Sequence, residues 1–201
     1  MTKHLSEAER RAQILRSARS VFIEKEFLAA RVEDVAKRAR LSKGAVYFYY
    51  SSKRALFLAL VREEQENTYH FLEEAEHDTR PAEVKLLDLG VKYLQYFAGL
   101  KSPPRFFLMM SEQAIRDDEI REELHAVHQE FVDAASRIIA QGMAEGSFRE
   151  LDPVAVAQLL KALIDGLAGQ SAIGLRPDGD RLATHGVQVI LNGLLTPRTS
   201  P

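Results

Sequence analysis

The sequence predicts an all-α protein, and three observations support this fold class. Apolar residues recur at helical spacing through most of the 201 residues. Residues that favour helix starts stand at regular places: Ser6 and Glu9 have the spacing of a capping box, and Asp152 directly precedes Pro153. No useful stretch alternates apolar and polar residues as a half-buried strand does. We therefore expect about nine helices and no sheet.

The first four helices are predicted from their caps and their periodicity. The first follows the capping box and ends near Lys25, a short second helix covers residues 32–39, and a third begins at Ser42. Two adjacent serines, Ser51 and Ser52, can cap a longer fourth helix. The amino-terminal part of the chain is therefore expected to be a three-helix head.

Prolines mark the starts of the later helices, because proline is tolerated in the first turn of a helix. Pro81, Pro104, Pro153 and Pro177 each stand at such a start. The five helices predicted in this part of the chain cover residues 81–100, 104–115, 118–145, 153–174 and 179–195.

The composition excludes several classes of protein. There is no cysteine, which removes disulfides, thiolate nucleophiles and cysteine metal sites together. The first eleven residues are charged and lack the apolar stretch of a signal peptide, and no apolar run has the length of a membrane span. We expect a cytoplasmic protein that needs no cofactor.

Charge is distributed unevenly along the chain. Residues 1–61 contain 13 Lys/Arg and 6 Asp/Glu, a balance of +7, whereas the remainder contains 14 and 23, a balance of −9. The two parts sum to the net charge of −2. A basic head on an acidic body is the asymmetry expected when only the head meets a polyanion, although solvated charges can also cluster by chance.

The second and third helices have the arrangement of a helix-turn-helix. A turn of three to four residues separates them, as in proteins whose second helix enters the major groove of DNA. The small residues Ser42, Gly44 and Ala45 let the start of the third helix approach DNA closely. Lys43 is the long donor at this point that can reach a base edge.

Residues 32–57, VEDVAKRARLSKGAVYFYYSSKRALF, resemble the head signature of the TetR family, and the likeness covers roughly residues 8–60. Beyond it the chain is similar to that family in helix number, helix lengths and the segment 163–167. The resemblance implies a helix-turn-helix DNA-binding domain over residues 1–52 and a ligand-binding and dimerisation domain over residues 53–201.

The resemblance also implies a DNA-contact set. Tyr47 would donate its hydroxyl to a phosphate, Lys53 would pair with another phosphate, and Lys43, Ala45 and Phe48 would touch bases or thymine methyls. The alternative for the aromatic run is plain packing, which we prefer for Tyr49 and Tyr50; Val46, Leu56 and Phe57 are also expected in the core. The complete predicted DNA-binding set is Ser42, Lys43, Gly44, Ala45, Tyr47, Phe48 and Lys53.

Three residues depart from the family pattern. Glu26 and Arg40 stand where the family usually has glycine, and Arg31 stands where it usually has a Ser/Thr cap. Arg40 is then expected in a left-handed conformation, at a cost of about 1 kcal/mol. The second helix is expected to lack a side-chain cap, which is typically worth ~1 kcal/mol.

The resemblance places a homodimer interface on the last two helices. Each carries a broad apolar face, and the alternative is that these faces complete the core of a monomer. The interface residues expected are Leu160, Leu163, Leu167, Val187, Ile190 and Leu194.

Aromatic and methionine residues are frequent between the fourth and eighth helices. Most such residues form ordinary core, but a cavity for an apolar ligand has the same lining with a few polar groups. The ligand-binding residues expected are Tyr93, Phe97, Phe107, Met110, His128, Phe131 and Gln170. Glu122 and His125 have a spacing used in some bundle metal sites, but no partner helix offers matching ligands, so no metal is expected.

The sequence favours a regulator over an enzyme. It has no glycine-rich phosphate loop, no His-Glu-x-x-His, no serine elbow and no cysteine nucleophile. We expect a dimeric repressor that a small apolar or aromatic ligand releases from a palindromic operator in double-stranded DNA. The alternatives are a dimeric regulator without a ligand and a helical scaffold protein.

Overall fold

The computed structural model describes residues 5–96, 104–175, 178 and 181–194. Within these ranges it contains nine α-helices, a π-helical turn at Leu182–Gly186 before the last of them, and no β-sheet. The all-α prediction is confirmed. The helices are α1 (Glu7–Ala29), α2 (Val32–Ala39), α3 (Lys43–Tyr49), α4 (Lys53–His77), α5 (Ala82–Gln95), α6 (Pro104–Ala114), α7 (Asp118–Ala144), α8 (Pro153–Ala172) and α9 (Val187–Leu194).

Local capping explains where several helices begin. Ser6 accepts a hydrogen bond from the Glu9 amide at 3.2 Å, and its own amide donates to the Glu9 carboxylate at 2.7 Å, so the predicted capping box is present. The Ser52 side chain caps α4 by accepting from the Ala55 amide, and Asp152 caps α8 just before Pro153. Pro177, the start predicted for the last helix, lies outside the described residues.

One apolar cluster joins the first three helices to the body. Phe57 of α4 is central: its ring centroid lies 5.7 Å from that of Phe22, 4.8 Å from that of Phe27 and 5.5 Å from that of Phe106 on α6. Val46 and Tyr50 from the region of α3 belong to the same cluster. The core therefore continues across residue 52, and the division into domains 1–52 and 53–201 stays a prediction.

A second apolar cluster forms the far end of the body. It is built from the end of α4 together with α5, α7, α8 and α9. Gly142 allows the chain after α7 to fold back onto this cluster, since a Cβ there would lie 2.3 Å from the ring of Phe148. Among the helices described, none is long and apolar enough to cross a membrane.

Candidate nucleic-acid interface and body cavity

The turn between α2 and α3 is held by local backbone geometry. Arg40 has φ 54° and ψ 43°, the left-handed conformation predicted for it, and the Leu41 amide donates to the Ala36 carbonyl at 2.9 Å. Ser42 then caps α3 by accepting from the Ala45 amide at 3.1 Å. This arrangement sets α3 across α2 in a helix-turn-helix.

The outer face of α3 is exposed. The side chain of Phe48 is 82% exposed and that of Tyr47 41%, and Lys43 and Gly44 are exposed beside them. Val46 points the other way and is fully buried, as predicted. Tyr47 and Phe48 are therefore not packing residues in this chain, and they are available to a partner surface.

Lys43 is held over this face by two neighbours. Its ammonium pairs with Glu33 of α2 and lies 5.6 Å from the centre of the Tyr47 ring. The hydrogen bond to Glu33 raises the pKa of Lys43. Contact between Lys43 and a base would require the exposed ion pair of Lys43 with Glu33 to break, and an exposed pair of this kind contributes little free energy.

Helix α1 is irregular near its end, at Glu26, which is one of the three residues that depart from the family pattern. Glu26 has φ 62° and ψ 158°, so the regular helix ends at Lys25, as predicted, and one further turn follows. Arg31 gives α2 no side-chain cap, also as predicted, although the Asp34 carboxylate accepts from the Arg31 amide at 3.1 Å.

Lys53 binds the turn that follows Glu26. Its ammonium donates to the carbonyl oxygens of Phe27, Leu28 and Ala30 at 2.7, 3.1 and 3.0 Å. Burial lowers the pKa of Lys53. A lysine ammonium has three N–H donors, and all three are used here. The phosphate contact predicted for Lys53 thus stays a prediction, and it would require one of these hydrogen bonds to break.

A cavity of about 430 Å³ opens between α5, α8 and α9, and we call it the apolar groove. Four predicted interface residues line it: Leu160, Leu163, Leu167 and Ile190. Leu194 is buried in the second apolar cluster instead, because the last turn of α9 packs against the body, where the Leu194 carbonyl accepts from the Arg149 amide at 2.9 Å. The Val187 side chain lies outside the described residues.

A second cavity, of about 250 Å³, lies between α4, α5, α6, α7 and α8, and we call it the body cavity. Four of the predicted ligand-binding residues line it: Tyr93, Phe107, Met110 and His128. The other three do not meet there. Phe131 lines the apolar groove, Gln170 is exposed on α8, and Phe97 lies outside the described residues.

The body cavity also has polar walls that the sequence analysis missed. Glu64 and Lys161 are buried at its edge, and Lys161 pairs with Asp165 one turn further along α8. Glu64 pairs with Arg19 of α1 and accepts a hydrogen bond from Tyr96. A signal was available, since Glu64 falls on the face of α4 that carries Leu60 and Val61. Within the described chain no group of three acidic or histidine side chains could hold a metal ion.

A basic helix-turn-helix head packed on a helical body defines a DNA-binding regulator. Residues 14–60 match the family model of bacterial regulatory proteins of the tetR family, and residues 103–194 match the model of the C-terminal part of BetI-type transcriptional repressors. The two matches cover both the head and most of the body. The chain belongs to the TetR family of transcriptional regulators.

Similar proteins agree with this assignment. The chain is 29% identical to the HTH-type transcriptional regulator YfiR of Bacillus subtilis, over 79% of this chain and 78% of that protein. It is 26% identical to the transcriptional repressor AcnR of Corynebacterium glutamicum, over 84% and 85%. Its fold is similar to that of a Saccharomonospora viridis regulator crystallised with choline, with a TM-score of 0.80 at 21% identity over 95% of this chain and all of that one.

Proposed function

We propose that this chain is a homodimeric repressor that binds a palindromic operator through α3 and is released by a small ligand held in its body. The exposed face of α3 carries the proposal, because Tyr47 and Phe48 stand outside the core beside a basic side chain. The proposed DNA-contact set is the predicted one, with Tyr47 on a phosphate and Lys43 and Phe48 at bases.

Homodimerisation is supported by the apolar groove. Leu163 is 45% exposed, and it lines the groove together with Leu160 and Leu167 of α8 and with residues of α9. A contiguous apolar surface of this kind is typical of an interaction site. A twofold pairing there would set two α3 helices on successive major grooves, roughly 34–36 Å apart.

A ligand in the body is supported by the body cavity and by similar structures. The cavity combines aromatic and methionine side chains with a few polar groups, which is the usual lining of a small-molecule site. The fold neighbours include the choline complex and a Bacillus subtilis FadR with stearoyl-CoA, which has a TM-score of 0.74 at 20% identity over 90% of this chain and 98% of that one. We propose an apolar or aromatic ligand and favour this over a ligand-independent regulator.

Helix α4 is the proposed connection between ligand and DNA. It begins at Lys53 beside the head, and its middle turns line the body cavity at Val61, Glu64 and Thr68. A ligand shifts the operator equilibrium only if it prefers one arrangement of the heads over the other. A displacement of α4 would supply that preference.

The experiment that tests this function is selection of DNA from a randomised duplex pool by the purified protein. We expect an inverted repeat with half-sites about one helical turn apart, and an affinity that falls steeply with salt because lysines and arginines displace counterions. Compounds that raise the melting temperature of the protein are then tested for release of the selected duplex. Recovery of no enriched sequence would contradict the proposal.

A further inference from the structure

Glu64 occupies an unusual position in the wall of the body cavity. Its residue surface is 7% exposed, and both carboxylate oxygens are engaged: one by the guanidinium of Arg19, the other by the hydroxyl of Tyr96. Tyr96 lines the same cavity, whereas Arg19 comes from α1 in the head. One carboxylate therefore contacts both the cavity and the DNA-binding head.

Arg19 is held by more than Glu64. Its second nitrogen donates to Glu63 at 2.8 Å, and its guanidinium carbon lies 4.8 Å from the centre of the Phe106 ring on α6. Burial alone would lower the pKa of Arg19, but the charges and hydrogen bonds of Glu64 and Glu63 outweigh it and raise the pKa. This arginine links α1 to α4 and α6 at the boundary between head and body.

The two acidic residues that hold Arg19 differ in one respect. Glu64 lines the body cavity and Glu63 does not. The other carboxylate at the cavity, Asp165, is paired with Lys161 from the same helix. Among the charged pairs that the structure describes at this cavity, the pair of Glu64 with Arg19 is thus the one that includes a residue of the head. The histidines that face the cavity, His125 and His128, lie on α7.

We propose that the ligand of the body cavity is an amine cation on an apolar body, and that its ammonium group takes the place of Arg19 on Glu64. This rests on the function proposed above and names the ligand chemistry and the coupling residue. A neutral donor could share the carboxylate with Arg19, since a carboxylate accepts about four hydrogen bonds. A cation repels the guanidinium at this short range in a buried site, so Arg19 is displaced.

Displacement of Arg19 changes how the head is attached. The guanidinium keeps Glu63, which is more exposed to solvent, and loses its buried partner. Helix α1 then loses a charge-assisted link to the wall of the cavity, and the two heads of a dimer are less firmly held at the spacing that fits DNA. The apolar part of the ligand lies against Tyr93, Phe107 and Met110.

The test uses n-octylamine as the probe, with n-octanoate as the probe of opposite charge, and the full-length protein with a duplex selected from a randomised pool. For the wild type, we expect octylamine to bind and to weaken DNA affinity on the order of tenfold, the usual range for coupled sites. Octanoate should have little effect. If octylamine does not bind, or if octanoate releases DNA equally well, the amine assignment is wrong.

Matched variants then locate the coupling. Glu64→Gln should abolish the octylamine effect on DNA affinity, whereas Glu63→Gln, which also removes a partner of Arg19, should keep it. Arg19→Met should still bind octylamine but should no longer convert binding into DNA release. Because Arg19→Met separates octylamine binding from DNA release, it distinguishes a loss of coupling from a failure to fold. This test can still be made if Glu64→Gln does not fold.

The outcomes separate the two proposals. Selection of no DNA sequence would contradict the regulator function itself, while octylamine binding that depends on Glu64 and not on Glu63 would still support the ligand chemistry. A Glu64→Gln variant that responds to octylamine like the wild type would overturn the Glu64 inference and leave the regulator function intact.

Discussion

The Nζ atom of Lys53 lies 2.7 Å from the carbonyl oxygen of Phe27 and 4.6 Å from the centre of the Phe27 ring. The first residue of α4 thus binds carbonyl groups at the end of α1, after the point where Glu26 interrupts the regular helix. Lysine near a helix C-terminus satisfies carbonyl groups that have no partner within the helix. This contact links the start of the long helix of the body to the end of the first helix of the head.

Replacement of Lys53 by methionine tests that contact. We expect the free energy of unfolding to fall by about 1–2 kcal/mol, because three carbonyl oxygens lose a charged donor. Urea denaturation measures the change. Lys25→Met is the control. Lys25 forms an exposed ion pair with Asp34, so its replacement should change the free energy of unfolding little. Weaker DNA binding without any loss of stability would instead support the direct phosphate contact.

Tyr47→Phe removes one hydroxyl from the exposed face of α3. If that hydroxyl donates to a phosphate, affinity for every DNA sequence should fall by roughly tenfold, which corresponds to about 1.4 kcal/mol for a hydrogen bond to a charged group. A mobility-shift titration measures it. Tyr69→Phe is the matched control, because Tyr69 is 50% exposed on the body part of α4. Equal affinities for the two variants would remove Tyr47 from the DNA-contact set.

Glu26→Gly should stabilise the protein. The angles at Glu26, φ 62° and ψ 158°, lie in a region that is essentially restricted to glycine and costs about 1–3 kcal/mol for other residues. Glycine relieves this strain but adds freedom to the unfolded chain, so we expect a net gain of about 1 kcal/mol. Glu26→Ala is the control, since alanine lacks the carboxylate but keeps the Cβ. A thermal melt in which both variants behave alike would show that strain at Glu26 is negligible.

The stability of the body should depend on pH through Asp117. Arg54 of α4 donates to both oxygens of Asp117 at 2.5 and 2.7 Å and holds the pKa of this carboxyl below its ordinary value of 3.8. A depressed pKa contributes stability that is complete above pH 3.8 and is lost as the pH falls through the lower, folded-state value. Asp117→Asn should therefore lose less stability than the wild type between neutral pH and pH 3, as measured by urea titrations across that range.

Leu163→Glu tests the proposed homodimer. A carboxylate in the apolar groove would be buried without a partner if a second chain covers it, so the dimer should dissociate at micromolar concentration. Sedimentation equilibrium measures the mass, and operator affinity should fall because single half-sites bind weakly. Ile115→Glu is the control, on an exposed residue between α6 and α7. A wild-type protein that sediments as a monomer would contradict the interface.

Features that depend on neighbours in sequence were predictable, and features that depend on distant helices were not. The caps at Ser6, Ser52 and Asp152 bind amides two or three residues away, and the left-handed Arg40 was predictable because it stands where the family usually has glycine. The Lys53 contact and the Glu64 pair are different, since Glu64 meets Arg19 across 45 positions. No local pattern specifies which basic residue reaches a given carboxylate.

The residues predicted to bind a ligand show the same difference between local features and features that depend on distant helices. The sequence pointed to aromatic and methionine residues between the fourth and eighth helices, and of these Tyr93, Phe107 and Met110 line the body cavity. Phe131 lies on the same side of α7 as Leu124 and His128 of that cavity, but it comes about one turn further along the helix and lines the apolar groove. Which part of a helix meets which cavity is decided by how non-adjacent helices pack.

The apolar groove has a consequence for how much active regulator a cell contains. A newly synthesised chain without a partner would expose the leucines of α8 and the side of α9 to solvent, and such surfaces attract chaperones and proteases. If pairing covers the groove, the DNA-binding form increases with the square of the chain concentration when chains are scarce. A modest change in the rate of synthesis would then alter occupancy of the operator more than proportionally.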